Sequence, residues 1–466
     1  MKPVAGALVF MASSLSACSL SFGTIGTWSN VELPPTALLG ANSVVLPDGE
    51  VVFLGGYDST GQPRSRVLRF DPKDNQWSQG ASMPGQQSGY AIAALPNGSV
   101  LIAGGGGLLG GVGALPVAGS GGAESGFQLL AATWLYNPQL DVWSKGGDLH
   151  VARSGAAAVV LTDGRVLIAG GSVPLATPIQ LPDGTTNFFG FGTSAETFDP
   201  QSNSWSLVGP MHFAHGSTAL LALPHGMALA AGGCDFANQQ LGLGVPMNSA
   251  EAFDPSTSSW TVTAPLPEPR CGATGVLLRD GRALVTGGSF SNDQQGSVTD
   301  AFLYDEQKRA WTATGSTVAG ASAPILLTDG KVFAAAVQAG PVKGALASFV
   351  VGGQIFDPAS GDWSFATSTS ALVSFRLSRE GPASPTVFAQ SDNNAVVLLG
   401  AFGLAYIFNP LATPPPVLIL DSSGLGLVLV GFAAAFWLLF AIQYFRGRRI
   451  RPRDYGVGRQ ESVDPP

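Results

Sequence analysis

The chain has 466 residues, a formal net charge of −8 at pH 7, 62 glycines, 33 prolines and only 12% charged residues. Exposed helix faces are normally built from Glu, Lys and Arg, so this composition excludes a mostly helical protein and favours strands joined by turns. The acid excess repels phosphate backbones and excludes nucleic acid as a partner.

Residues 1–18 hold Lys2, an apolar run from Val4 and the ending Leu15-Ser16-Ala17-Cys18. That organisation is a secretory signal. Its ending resembles the bacterial lipobox, which makes Cys18 a lipidation candidate; a plain signal peptide with an incidental cysteine is the other reading. Either reading puts the rest of the body outside the cytoplasm.

From residue 25 onward the chain repeats itself. An aromatic residue and an Asp or Asn turn recur seven times, from Phe70-Asp71-Pro72 and Tyr136-Asn137-Pro138 to Phe408-Asn409-Pro410. Trp77, Trp143, Trp205, Trp260, Trp311 and Trp363 follow the first six. Upstream of each turn lies a hairpin signal between apolar runs, such as Asp48-Gly49, Asn97-Gly98 or Asp163-Gly164. A glycine pair comes after five of these hairpins and decays to Ala335-Ala336 and Leu399-Gly400 in the last two units. Each unit thus reads strand, turn, strand, Gly-Gly, loop, strand, Asp-Pro turn, Trp strand. Four strands in a repeat of this length is the signature of a propeller blade. The seventh unit lacks its Trp strand, and Gly26-Thr27-Trp28-Ser29 at the start of the chain supplies it.

The order Gly-Gly, aromatic-Asp-Pro, Trp resembles the kelch repeat, found also in the galactose oxidase propeller. The expected fold is therefore all-β: a seven-bladed kelch-type β-propeller over residues 25–410, with the N-terminal strand closing the last blade, plus one C-terminal transmembrane helix. The resemblance implies little about activity, because kelch propellers host enzymes, adhesins and adaptors alike.

Long loops between second and third strands, at residues 106–128, 172–194 and 234–249, are expected on one face. Phe188, Phe189 and Phe191 form either an apolar contact patch there or a self-packed loop. Cys234 and Cys271 meet at the same face as a disulfide or as two buried free thiols. Counting back ten residues from the hairpin turns gives Gln87, Arg153, His215 and Arg270, a polar ring expected at the channel mouth as part of a binding face. Arginine at this place in kelch repeats usually braces neighbouring blades. His150, His212 and His215 are candidate copper or zinc ligands. Glu196 and Glu251 recur at one repeat position and read as framework.

The radical-copper site of galactose oxidase does not transfer. Where its cross-linked tyrosine directly follows Arg-Gly, this chain has Arg153-Ser154-Gly155 and Arg270-Cys271-Gly272, and Tyr90 stands one place out of register. Gly105-x-Gly107-x-x-Gly110 lacks the following helix a dinucleotide site needs. No HExxH, GxSxG or Cys-x-x-Cys occurs.

A Pro-rich linker (411–423) leads to 424–445, whose last 21 residues carry no charge and suffice for a bilayer-spanning helix. The basic tail 446–466 then stays cytoplasmic. The expectation is a cell-membrane protein with its propeller extracytoplasmic. It binds a protein partner or a surface glycan without a cofactor. The alternative is a metal-dependent, copper oxidase-like enzyme using the outward histidines.

Overall fold

A computed structural model of the protein describes residues 26–30, 35, 41–57, 63–108, 127–180, 186–238, 243–289, 298–315, 322–339, 346–366, 369–374, 386–389, 395–399 and 404–411. They belong to one compact unit, Gly23–Pro414. Among them, every regular element is a β-strand. The signal segment with Cys18, the linker beyond Leu411, the apolar span and the basic tail lie outside the described residues. Among the described residues, no helix is long and apolar enough to cross a membrane.

The strands assemble into consecutive antiparallel four-stranded sheets that follow chain order. The first is Ala41–Val45, Val51–Gly55, Val67–Asp71 and Gln76–Gly80. The second is Ala91–Ala94, Val100–Ala103, Thr133–Asn137 and Val142–Lys145. The third is Ala157–Val160, Val166–Ala169, Ala195–Asp199 and Ser204–Leu207. The fourth is Ala219–Ala222, Ala228–Ala231, Ala250–Asp254 and Ser259–Val262. The fifth is Thr274–Leu277, Ala283–Thr286, Phe302–Asp305 and Ala310–Ala313. The sixth runs Ser322–Leu326, Val332–Ala339, Leu346–Asp357 and Asp362–Phe365, with Thr369–Ser374 added beside its third strand. In the seventh, Thr386–Ala389, Ala395–Leu399 and Leu404–Asn409 are joined by the N-terminal Thr27–Asn30, with Trp28 opposite Phe408.

The second strand of each sheet explains where the core sits. In Val166–Ala169 all four residues are buried. Successive side chains of a strand point to opposite faces. Accordingly Val166 and Ile168 pack with Leu101 and Ala103 of the second sheet, while Leu167 and Ala169 pack with Ala228 and Ala230 of the fourth. A strand with neighbours on both faces needs a continuous apolar run rather than an alternating one. The core therefore lies between sheets, layer after layer.

The turn and Trp signals complete each layer. Asp199 Oδ1 accepts the Gln201 N–H at 2.8 Å, which fixes the Asp-Pro turn. Trp205 then comes back beside Phe198, ring centres 5.1 Å apart. Its indole N–H crosses to Thr133 Oγ1 of the preceding sheet at 2.9 Å. Trp143 reaches Ala81 O of the first sheet in the same way at 2.8 Å. One large side chain thus fills the gap between two sheets and hydrogen-bonds across it.

The glycine pair ends the second strand and ties it to the next sheet. Gly170 and Gly171 adopt φ of 67° and 82°, and a Cβ on Gly171 would stand 2.7 Å from Ala156 N and Ser154 O. Only glycine accepts both conditions without strain. Gly171 N donates to His215 O, Gly105 N to Arg153 O and Gly233 N to Arg270 O, at 2.7–2.9 Å. The pair is therefore an inter-sheet connector. Where Ala335-Ala336 replaces it, the second strand of the sixth sheet runs on to Ala339.

Candidate functional site

The segment that brings the chain into each sheet ends in one side chain turned into the fold four residues before the first strand. In the second to fifth sheets this head residue is Gln87, Arg153, His215 and Arg270. The sequence reading expects these four on a binding face; the structure closes their side chains off from solvent. All four are buried.

Arg153 shows why. Its Nη1 donates to Gly170 O at 3.0 Å and Ser194 O at 2.8 Å. Nη2 donates to Ser194 Oγ at 3.0 Å and Glu196 Oε1 at 3.1 Å, and Nε reaches Val151 O at 3.3 Å. Burial pulls the guanidinium pKa down, and Glu196 pulls it back only in part. A planar five-donor group is the residue suited to joining two strand ends and a loop at once.

Glu196 is equally buried and serves a second purpose. Its Oε2 accepts both the backbone N–H and the Nδ1 of His150 at 2.8 Å, and its Oε1 accepts the Val151 N–H at 3.1 Å. The carboxylate caps two orphan amides of the incoming loop. The ring of His150 keeps 47% of its surface exposed, with Nε2 free of these bonds.

The fourth sheet repeats the arrangement with one substitution. Glu251 Oε2 accepts His212 N at 2.8 Å and His212 Nδ1 at 2.7 Å, and Oε1 accepts Phe213 N at 2.9 Å. His215 replaces the arginine. Its Nδ1 meets Gly232 O at 2.7 Å and its Nε2 meets Glu251 Oε1 at 3.3 Å. The imidazole thus spans the same strand-end carbonyl and carboxylate oxygen that the Arg153 guanidinium joins in the third sheet. Burial pushes the Glu251 carboxyl up, but the bonds from His215, His212 and the two amides outweigh it and hold it below its ordinary value.

The three candidate metal ligands are thus divided. Both nitrogens of His215 are occupied inside the fold, so it is a brace and not a ligand. His150 and His212 each have Nδ1 on a carboxylate, and the His212 side chain is 51% exposed. Among the described residues, no group of three or more His, Cys, Asp or Glu could hold an ion.

The remaining candidates sit around these heads. Cys234 and Cys271 are joined by a disulfide, S–S 2.06 Å, which ties the residue after the fourth sheet's glycine pair to the residue after Arg270. Residues Ser172–Gln180 and Thr186–Phe191 form a hairpin on the third sheet, and Cys234–Asn238 and Leu243–Pro246 one on the fourth. Phe188, Phe189 and Phe191 are half-buried rather than exposed. Phe189 packs on the core between the second and third sheets, and a Cβ on Gly216 would strike the Phe191 ring. Beside them Phe213 and Val245 stay exposed. Tyr90, out of register for copper chemistry, donates its hydroxyl to Leu54 O at 2.7 Å, and burial pushes its pKa up.

Comparison with known proteins agrees with this frame. The Kelch motif family model matches residues 41–84 and 225–267. Human Kelch-like protein 34 is 26% identical over 62% of this chain, and Kelch-like protein 25 of Xenopus tropicalis 22% identical over 54%. The chain thus carries kelch motifs and is similar to kelch-like proteins. It spans only 40% and 38% of the length of those two relatives. A fungal alcohol oxidase solved in complex with copper superposes with a TM-score of 0.57, over 83% of this chain and 76% of that one. At 14% identity that likeness shows the fold alone.

A paired pattern in this chain escaped the sequence reading. His150 and His212 accompany Glu196 and Glu251, whereas at the same places the second and fifth sheets have Pro84 with Trp134 and Pro267 with Phe302. Proline has no N–H, so a buried carboxylate opposite it would lose one of the amides it caps. The signal is visible only once the loop is known to fold back on the third strand.

Proposed function

We propose that this chain is a membrane-anchored, extracytoplasmic propeller of seven blades, closed by its N-terminal strand. It binds a protein partner or a surface glycan through the end that carries the head loops. The observation that carries this reading is the pair of hairpins on the third and fourth sheets, set on heads locked by buried ion pairs and a disulfide. Variable loops on a rigid frame are the usual place for recognition. A protein partner fits best, since the hairpins offer strand edges with Phe213 and Val245 exposed beside them. The disulfide supports an oxidising compartment, and the apolar residues 424–445 followed by arginines support a single span with its tail in the cytoplasm.

The test is cross-linking capture from the native membrane. The full chain is compared with a variant carrying Phe213→Ser and Val245→Ser, with its melting temperature matched to the parent. Loss of the captured partner supports the proposal, and unchanged capture overturns the choice of surface. Protease accessibility on intact cells tests the orientation.

One observation favours a second reading. Carboxylate-backed imidazoles with a free Nε2 are how metal-binding histidines are oriented, and His150 and His212 both have that form. A rise in Tm with copper or zinc that disappears in His150→Ala/His212→Ala would move the function toward a metal-dependent enzyme.

A further inference from the structure

Arg270 stands in the fifth sheet where Arg153 stands in the third, and it is as fully buried. Its Nη1 donates to Asp300 O at 2.9 Å and approaches Gly287 O at 3.4 Å. Those two carbonyls correspond to the Ser194 and Gly170 carbonyls that hold Arg153. There the likeness stops. Arg153 uses Nε and Nη2 as well, whereas among the described residues neither Nε nor Nη2 of Arg270 has a partner. The strand place of Glu196 is taken by Phe302, whose ring lies 4.9 Å from the guanidinium carbon. An aromatic face attracts the cation but accepts no N–H in the guanidinium plane.

The two open donors are not an arbitrary pair. Nε–H and the adjacent Nη2–H point the same way and form a planar fork that matches the two oxygens of a carboxylate. The chain uses that fork elsewhere: Arg69 places Nε 2.8 Å from Glu50 Oε1 and Nη2 2.6 Å from Glu50 Oε2. At Arg270 the backbone is held by the Cys234–Cys271 disulfide next to it and the guanidinium by its two carbonyls. The fork is thus fixed in direction before anything fills it. A carboxylate does stand near. Glu268 acts on Arg270 through its charge, without a hydrogen bond, and its buried Oε2 also lacks a partner.

We propose that the open fork of Arg270 receives the carboxylate of a small organic acid, and that Glu268 is the internal carboxylate the ligand displaces. Arg270 is closed from solvent, so the site admits only a small acid, and the half-buried Glu268 moves aside as it enters. The proposal deepens the reading of this end as the ligand-facing one and rests on it.

The experiment titrates sodium acetate into the full chain at constant ionic strength against sodium chloride, reading Tm and the line width of labelled acetate. Acetate raises Tm and broadens, and chloride does neither, because binding to the folded state alone stabilises it. Arg270→Lys keeps the charge, loses the planar fork and abolishes the shift. Glu268→Gln removes the internal competitor and lowers the acetate midpoint about fivefold or more. Equal acetate responses in the parent and Arg270→Lys overturn the proposal, as does chloride matching acetate. If Arg270→Lys fails to fold, Glu268→Gln decides alone, and an unchanged midpoint there overturns the proposal. Partner capture by the hairpins is a separate readout, so its failure and that of the acetate response are told apart.

Discussion

The heads of the third and fourth sheets differ by one side chain, and the consequences can be followed atom by atom. In the third, Arg153 satisfies Ser194 Oγ, two carbonyls and Glu196 together. In the fourth, His215 reaches one carbonyl and Glu251, and Ser249 Oγ, the counterpart of Ser194 Oγ, is left buried without a partner. The shorter side chain keeps the link between carbonyl and carboxylate but drops the bond to the hydroxyl. What the two sheets share is thus a bridge from a strand-end carbonyl to a buried carboxylate, and the residue that supplies it varies.

The largest effect comes from breaking the better-made pair. Glu196→Ala leaves Arg153 a buried charge without a counter-charge and uncaps His150 N and Val151 N. The expected loss is about 3–5 kcal/mol by denaturant unfolding. Glu196→Gln keeps the shape and restores part of it. A loss under about 1 kcal/mol for Glu196→Ala would show that water or a neighbour replaces the carboxylate freely.

Acid should next separate the fourth sheet from the rest. The Glu251 carboxyl titrates below its ordinary value of 4.5 in the folded protein. A carboxylate with a depressed folded pKa contributes its stability fully above the unfolded value, and that contribution is lost as the pH falls through the folded one. Unfolding free energy of the parent should therefore fall more steeply than that of Glu251→Gln between roughly pH 5 and 3. Parallel curves would remove Glu251 from the account.

The comparison is sharpened by making the two heads alike. His215→Arg restores the fork and offers Nη2 to Ser249 Oγ, so it should stabilise by about 1 kcal/mol, the net worth of one buried hydrogen bond. The converse, Arg153→His, should cost at least as much. If His215→Arg destabilises, the fourth sheet has repacked around the imidazole and the two heads are not interchangeable.

Much of this frame was legible because it is written in short-range chemistry. The Asp-Gly hairpins, the Gly-Gly pairs and the aromatic-Asp-Pro turns each need particular backbone angles, and those needs show in residue type. Trp28 was readable as a missing strand for the same reason. The site was less legible. Gln87, Arg153, His215 and Arg270 are polar, and polarity alone suggested a surface. Burial of a charge is decided by a partner, and Glu196 lies 43 residues from Arg153. The family model likewise matches only two stretches, although five units keep the glycine pair. One local signal was overlooked. The fourth residue after each turn Asp or Asn has positive φ in six sheets, at Asn75, Asp141, Asn203, Ser258, Arg309 and Gly361.

The smallest effect tests the Trp layer by the same logic of a missing partner. Trp205 donates its indole N–H to Thr133 Oγ1 of the sheet before it. Trp260, one sheet later, is buried in the same setting, yet among the described residues its Nε1 has no acceptor. The residue at the Thr133 place of its neighbouring sheet is Ala195, which shares a core cluster with Trp260. Ala195→Ser adds a single oxygen where Thr133 carries one, and a hydroxyl is smaller than the methyl-bearing threonine that the second sheet accommodates. The expected gain is about 1 kcal/mol, read as an increase in the denaturant midpoint with an unchanged slope. Trp260→Phe in the Ala195→Ser background should cancel that gain, since the serine would then be buried without its donor. If Ala195→Ser lowers the midpoint in both backgrounds, the space beside Trp260 is too tight for one oxygen. The bare indole nitrogen would then be the cost of close packing between the third and fourth sheets.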